Sequence, residues 1–116
     1  MSDRELLELA AKAVGLAVRE PFRYGEFRVS GEDWISYPWN PRDDDGDAFR
    51  LETKLSFSAV EWSDGIEVGE LETVSRGLRF IKGRSAYVKF DDHAGDKRAA
   101  RRLAALRAAA EIGRAM

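Results

Sequence analysis

A chain of 116 residues with 44% apolar content and twelve Trp, Tyr and Phe residues suits one domain with a real core, despite 34% charge. The formal net charge of −2 provides no overall positive field for nucleic acid or an anionic membrane, and the lack of Cys removes disulfides, thiolate metal sites and Cys nucleophiles. No apolar run nears the roughly 18 residues of a membrane helix and the first residues are not signal-like, so a soluble cytoplasmic protein is expected.

Ser2-Asp3-Arg4-Glu5 has the spacing of a capping box, in which the Ser2 hydroxyl accepts from the Glu5 amide and the Glu5 carboxylate reaches back. Leu6, Leu9, Ala10 and Ala13 follow at helical intervals, with Leu7 and Val14 widening the stripe. Gly15 stands where a left-handed cap is wanted, and Leu16 closes it. The pattern predicts a helix over residues 3–14. Residues 16–37 read as two or three short strands. Phe22, Tyr24, Phe27, Val29, Trp34, Ile35 and Tyr37 are aromatic or β-branched, and Gly25 and Gly31 interrupt them. Pro21 makes residues 17–19 an edge or an approach segment. Pro38 and Pro41 end regular structure around Trp39.

Asp43, Asp44, Asp45 and Asp47 come next, with Asp44 and Asp47 at the offset of a capping pair. Carboxylates in a first turn complement the helix dipole. Ala48, Leu51 and Leu55 form the buried stripe of a helix over residues 44–55. Residues 57–62 read as a strand, turned back by Ser63-Asp64-Gly65, the last two a pair that tight hairpins favour for its positive φ. Residues 66–75 return, broken or bulged near Gly69. Arg76-Gly77 and Lys82-Gly83-Arg84 then punctuate two more strands, 78–81 and 86–90. Asp96 caps an alanine-rich, proline-free helix over residues 96–115. Ala99, Leu103, Leu106, Ala110 and Gly113 share one side, extended by Ala105, Ala109 and Ile112, while Arg107, Glu111 and Arg114 lie opposite. Such a wide face of small residues suits close packing on a sheet or another helix. Hairpin-length connections favour antiparallel pairing, so the fold class is α+β.

Trp39-Asn40-Pro41, Asp44-Asp45-Gly46-Asp47-Ala48, Arg50-Leu51 and Lys54-Leu55 stand in an uncommon order and spacing. They resemble the WNP…DDGDA.RL…KL signature of small bacteriophage and prophage proteins, the phage ABA sandwich domain family. The ending Arg107-Ala108-Ala109-Ala110-Glu111-Ile112-Gly113-Arg114-Ala115-Met116 is similar to that family's RAAAEIGRAM close, and Leu6-Leu7-Glu8-Leu9-Ala10-Ala11-Lys12-Ala13 also fits. The chain departs from the pattern at Phe49, at Glu52-Thr53 and through residues 63–90. The resemblance implies a single-domain α/β/α sandwich, its antiparallel sheet of about four to six strands packed by the three helices, and a phage origin. It implies no established activity, cofactor or catalytic residue.

Each candidate site has a plain structural explanation beside it. The acids Asp43, Asp44, Asp45 and Asp47 have the oxygen ligands a hard cation needs, but not the Gly and Glu positions of an EF-hand loop. Capping a helix start explains them better. Trp39, Asn40 and Pro41 form either a recognition loop or a staple that packs Trp39 on the core. Lys97, Arg98, Arg101 and Arg102 have the charge for phosphate contacts, against which stand the negative net charge and the absence of aromatics interleaved with these arginines. His93 sits among Asp91, Asp92 and Asp96 in what reads as a solvated turn, with no glycine-framed serine near it. No phosphate-binding loop or paired metal motif is present. Trp34, Trp39 and Trp62 suit core or interface alike.

The expected function is that of a non-enzymatic phage or prophage accessory protein in the cytoplasm of its bacterial host. It would act by binding a host or phage protein, without cofactor or metal. The alternative is a nucleic-acid-associated module that uses the basic last helix.

Overall fold

A computed structural model of the protein describes residues 2–20, 22, 25–75 and 78–116, with side chains except over 71–82. The first helix, α1, spans Asp3–Ala13. The Glu5 amide donates to the Ser2 hydroxyl at 3.2 Å, the first half of the expected capping box. At the other end Gly15 has φ +76°. The Gly15 amide donates to the Lys12 carbonyl at 3.2 Å and the Leu16 amide to Ala11 at 2.9 Å, the paired bonds of a Schellman cap. Val14 has left the helix, one residue before the predicted end.

Three short antiparallel strands follow: β1 (Ala17–Val18), β2 (Arg28–Ser30) and β3 (Ser36–Pro38), with β2 central. β1 is an edge, as Pro21 suggested, although Pro21 and Tyr24 themselves lie outside the described residues. Pro38 closes the opposite edge strand, where its missing N–H costs no ladder bond within the sheet. Trp34 and Ile35, expected in a strand, belong instead to the turn between β2 and β3. There the Trp34 amide donates to the Gly31 carbonyl at 3.4 Å and the Ile35 amide to Asp33 Oδ1 at 3.2 Å.

The second helix, α2, spans Asp45–Lys54, with Asp44 as its N-cap. A second antiparallel sheet comprises β4 (Phe57–Glu61), β5 (Gly65–Ser75) and β6 (Leu78–Lys89), with β5 central. The six strands thus divide between two three-stranded sheets, where one sheet was expected. The two strands expected at 78–81 and 86–90 are one strand, while Phe90 opens a short 3-10 turn, Phe90–His93. Gly83 explains the merger. Its φ of +99° absorbs extra residues as a bulge opposite Glu70, whose carboxylate accepts from the Arg84 amide at 3.2 Å. The irregularity foreseen near Gly69 is present as register shifts between Gly69, Leu71 and Thr73. Arg76-Gly77 lies outside the described residues. Gly65 has no positive φ, so the predicted reason for it fails. It is needed because a Cβ there would sit 2.5 Å from Tyr87 Cζ and 2.6 Å from the Val88 carbonyl oxygen.

The last helix, α3, spans Lys97–Arg114, and the Ala99 amide donates to the Asp96 N-cap at 3.1 Å. That bond holds the Asp96 carboxyl below its ordinary pKa. The helix is buried more widely than its apolar stripe predicted. Ala100, Ala104 and Ala108 are buried as well, while Ala99 and Ile112 are only half-buried. It is enclosed because it serves two cores. Ala100, Leu103, Ala104 and Ala105 cover Ile66, Val68 and Val88 of the larger sheet and Phe90 of the 3-10 turn. Leu106, Ala109 and Ala110 join Leu6, Leu7, Ala10 and Ala11 of α1 with Phe27, Val29, Trp39 and Leu51. Close approach of α1 and α3 is possible because Gly113 lies against the Leu9 backbone. Among the described residues no helix is long and apolar enough to cross a membrane.

Candidate binding surface

The Trp39-Asn40-Pro41 segment is a local scaffold. Trp39 is 4% exposed and tilts against Phe27 with ring centroids 6.3 Å apart, and Pro41 is fully buried. The Asn40 side-chain oxygen accepts from the Arg42 amide at 3.2 Å and the Asp43 amide at 3.3 Å, and its amide nitrogen donates to Asp43 Oδ2 at 3.1 Å. Asn therefore ties the bend that leads into α2.

The acids divide among structural tasks. Asp44 Oδ1 accepts from the Asp47 amide at 2.9 Å, and Asp47 accepts from the Asn40 amide at 2.9 Å and from Arg50 at 2.5 Å. The Asp47 carboxylate holds the Arg50 guanidinium still more firmly protonated than usual. Asp45 pairs with Arg102 at 2.6 Å, and Arg42 pairs with Asp3. Among the described residues no group of three His, Cys, Asp or Glu side chains is arranged to hold a metal ion. Asn40, Asp44 and Asp47 do border a cleft of about 550 Å³ with Leu7, Phe27 and Trp39.

The predicted phosphate contacts are mostly engaged inside the molecule. Lys97 pairs with Glu61 at 3.0 Å, Arg101 with Glu52 at 3.1 Å, and Arg102 donates to the Arg42 carbonyl at 2.7 Å as well as to Asp45. Glu52 is buried, so Arg101 compensates a carboxylate largely withdrawn from water. Arg98 has no carboxylate partner among the described residues. With Asp45, Ala48, Phe49, Glu52, Arg101 and Arg102 it lines a cleft of about 330 Å³ between α2 and α3. His93 lies in the 3-10 turn, and its carbonyl accepts from the Asp96 amide at 2.9 Å.

The surface that sequence reasoning did not single out lies on the β3 side. Trp34 is 75% exposed, Ile35 67% and Tyr37 40%. Trp34 holds φ +64° although it is neither Gly nor Asn, a backbone state that costs an L-residue roughly 1–2 kcal/mol. The Arg19 guanidinium covers its ring, 4.6 Å from the centroid, and Arg19 is in turn anchored by donating to the Ser30 hydroxyl at 2.6 Å. Tyr37 also forms a wall of an open apolar cavity of about 290 Å³, with Val14, Leu16, Trp39 and Leu51 as the other apolar lining and Arg50 and Lys54 at its margin. One sequence signal for this surface existed. Gly31-Glu32-Asp33 is turn chemistry, which places Trp34-Ile35 at a loop tip rather than in a buried strand.

No family model, no curated protein and no solved structure matches this chain.

Proposed function

We propose that this chain is a phage or prophage accessory protein that works without catalysis, by holding a protein partner against the β3 side of the domain. The observation that carries it is the exposure of Trp34, Ile35 and Tyr37 within four residues of chain, with Tyr37 forming a wall of an open apolar cavity. Interface hot spots favour Trp, Tyr and Arg, and Trp34, Tyr37 and Arg19 supply those types together. The φ of Trp34 adds to the support, because its ring gains little burial within the chain in return for the strain. The phage setting rests on the order Trp39-Asn40-Pro41, Asp44-Asp45-Gly46-Asp47-Ala48 and on the ending of the chain.

A photo-crosslinking residue at position 35, compared with one at position 92, tests this in lysate of the cells that carry the gene. The expected result is one discrete adduct from position 35, absent from position 92 and lost on Trp34→Ala. Identical adducts from both positions, or one indifferent to Trp34→Ala, would refute it.

A further inference from the structure

We propose that the cleft between α2 and α3 docks single-stranded nucleic acid, with Phe49 as the surface on which a base stacks and Arg98 as the phosphate contact. This site is separate from the β3 side and independent of the protein-binding role. In the chain, no aromatic residue falls among the arginines of α3. The fold supplies one from elsewhere: α2 packs against α3 and brings Phe49 into the same cleft as Arg98, Arg101 and Arg102.

Phe49 is 66% exposed, so it contributes little to either core. An open aromatic face among cations is the arrangement that single-strand binders use, since every base offers a π-face and every link a phosphate. Arg98 is not committed to a carboxylate among the described residues. Lys97 is paired with Glu61, but both side chains are more than half exposed, and ion pairs of that kind are weak enough for a phosphate to compete. A duplex fits less well, because its bases are stacked on each other and present no free face to Phe49. An acidic protein would use the arginines and leave the ring without a role.

The test uses the full chain and a fluorescein-labelled oligothymidylate of about ten nucleotides, read by anisotropy at low salt. Binding should weaken steeply with salt. Phe49→Ala should lower affinity about tenfold and Phe49→Trp should retain it. Arg98→Gln should weaken binding and make its salt dependence shallower by about one phosphate. Both positions are exposed, and unchanged melting temperatures would confirm that the variants are folded. No binding at low salt overturns the proposal, as does affinity indifferent to Phe49→Ala. A duplex of the same length binding equally well overturns it too. Thymidine monophosphate competing at the same concentration as the oligomer would overturn the strand in favour of a free nucleotide.

Discussion

Gly113→Ala is the sharpest test of how the helices meet. In an exposed helix this change stabilises by about 1 kcal/mol, since Ala outranks Gly in propensity. Here the new Cβ would lie 2.7 Å from the Leu9 carbonyl carbon and 3.2 Å from Leu9 Cα. Carbon atoms prefer separations of about 3.5–4.0 Å, so α1 must retreat from α3 by roughly an ångström. These atoms are backbone, and no rotamer change can move them aside. The retreat loosens Leu6, Leu7, Ala10 and Ala11 against Leu106, Ala109 and Ala110. Overpacking of this kind costs about 1–3 kcal/mol, and the rigidity of the backbone places it in the upper half of that range. After the propensity gain, a net loss of about 1–2 kcal/mol remains. For a domain of this size that lowers the melting temperature by about 4–8 °C. Thermal and urea unfolding of the variant measure it directly. A melting temperature equal to or above that of the parent would mean that α1 does not lie on Gly113, and the shared core would have to be redrawn.

Asp44→Ala should cost about 0.5–2 kcal/mol in urea unfolding by removing the N-cap of α2, and Asp44→Ser should recover most of it; equal stability of Asp44→Ala and the parent would exclude the cap. Arg101→Ala should destabilise by about 1–2 kcal/mol because it leaves the carboxylate of buried Glu52 without its donor, and adding Glu52→Leu should restore stability; a neutral Arg101→Ala would show that the pair is idle. Tyr87 donates to the Asp64 carboxylate, which raises its phenol to about 12. Because the folded value is the higher one, this contribution is complete below the ordinary phenol pKa of about 10 and is lost as pH rises toward 12. Ultraviolet titration should therefore show one of the three tyrosines ionising late, and Asp64→Asn should bring it back among the others; no late tyrosine in the parent would deny the bond.

The helix boundaries were legible before any fold was known. Ser2, Gly15, Asp44 and Asp96 each act through hydrogen bonds to residues at most four positions away, so the local spelling contains the whole interaction. The α+β class was legible for the same reason, since helical spacing and β-branched runs are local patterns. The candidate acids were correctly recognisable as a helix start, yet their partners Arg50, Asn40 and Arg102 span three to 57 positions in the chain, and only the nearer two invite a guess.

What depended on distant partners was not written locally. Trp34 and Trp39 are five positions apart, yet one stands in solvent and the other in the core, because only Trp39 meets Phe27 and Leu51. The unity of β6 hangs on Glu70 reaching across to the Arg84 amide around Gly83. The wide buried face of α3 reflects a sheet on one side and α1 on the other, which no single stripe encodes. Phe49 came to lie among arginines some fifty residues away only because α2 packs against α3. Local hydrogen bonding and periodicity determine where each element begins and ends. Which faces become interior, and which side chains share a cleft, is decided by the long-range burial of apolar surface when those elements meet.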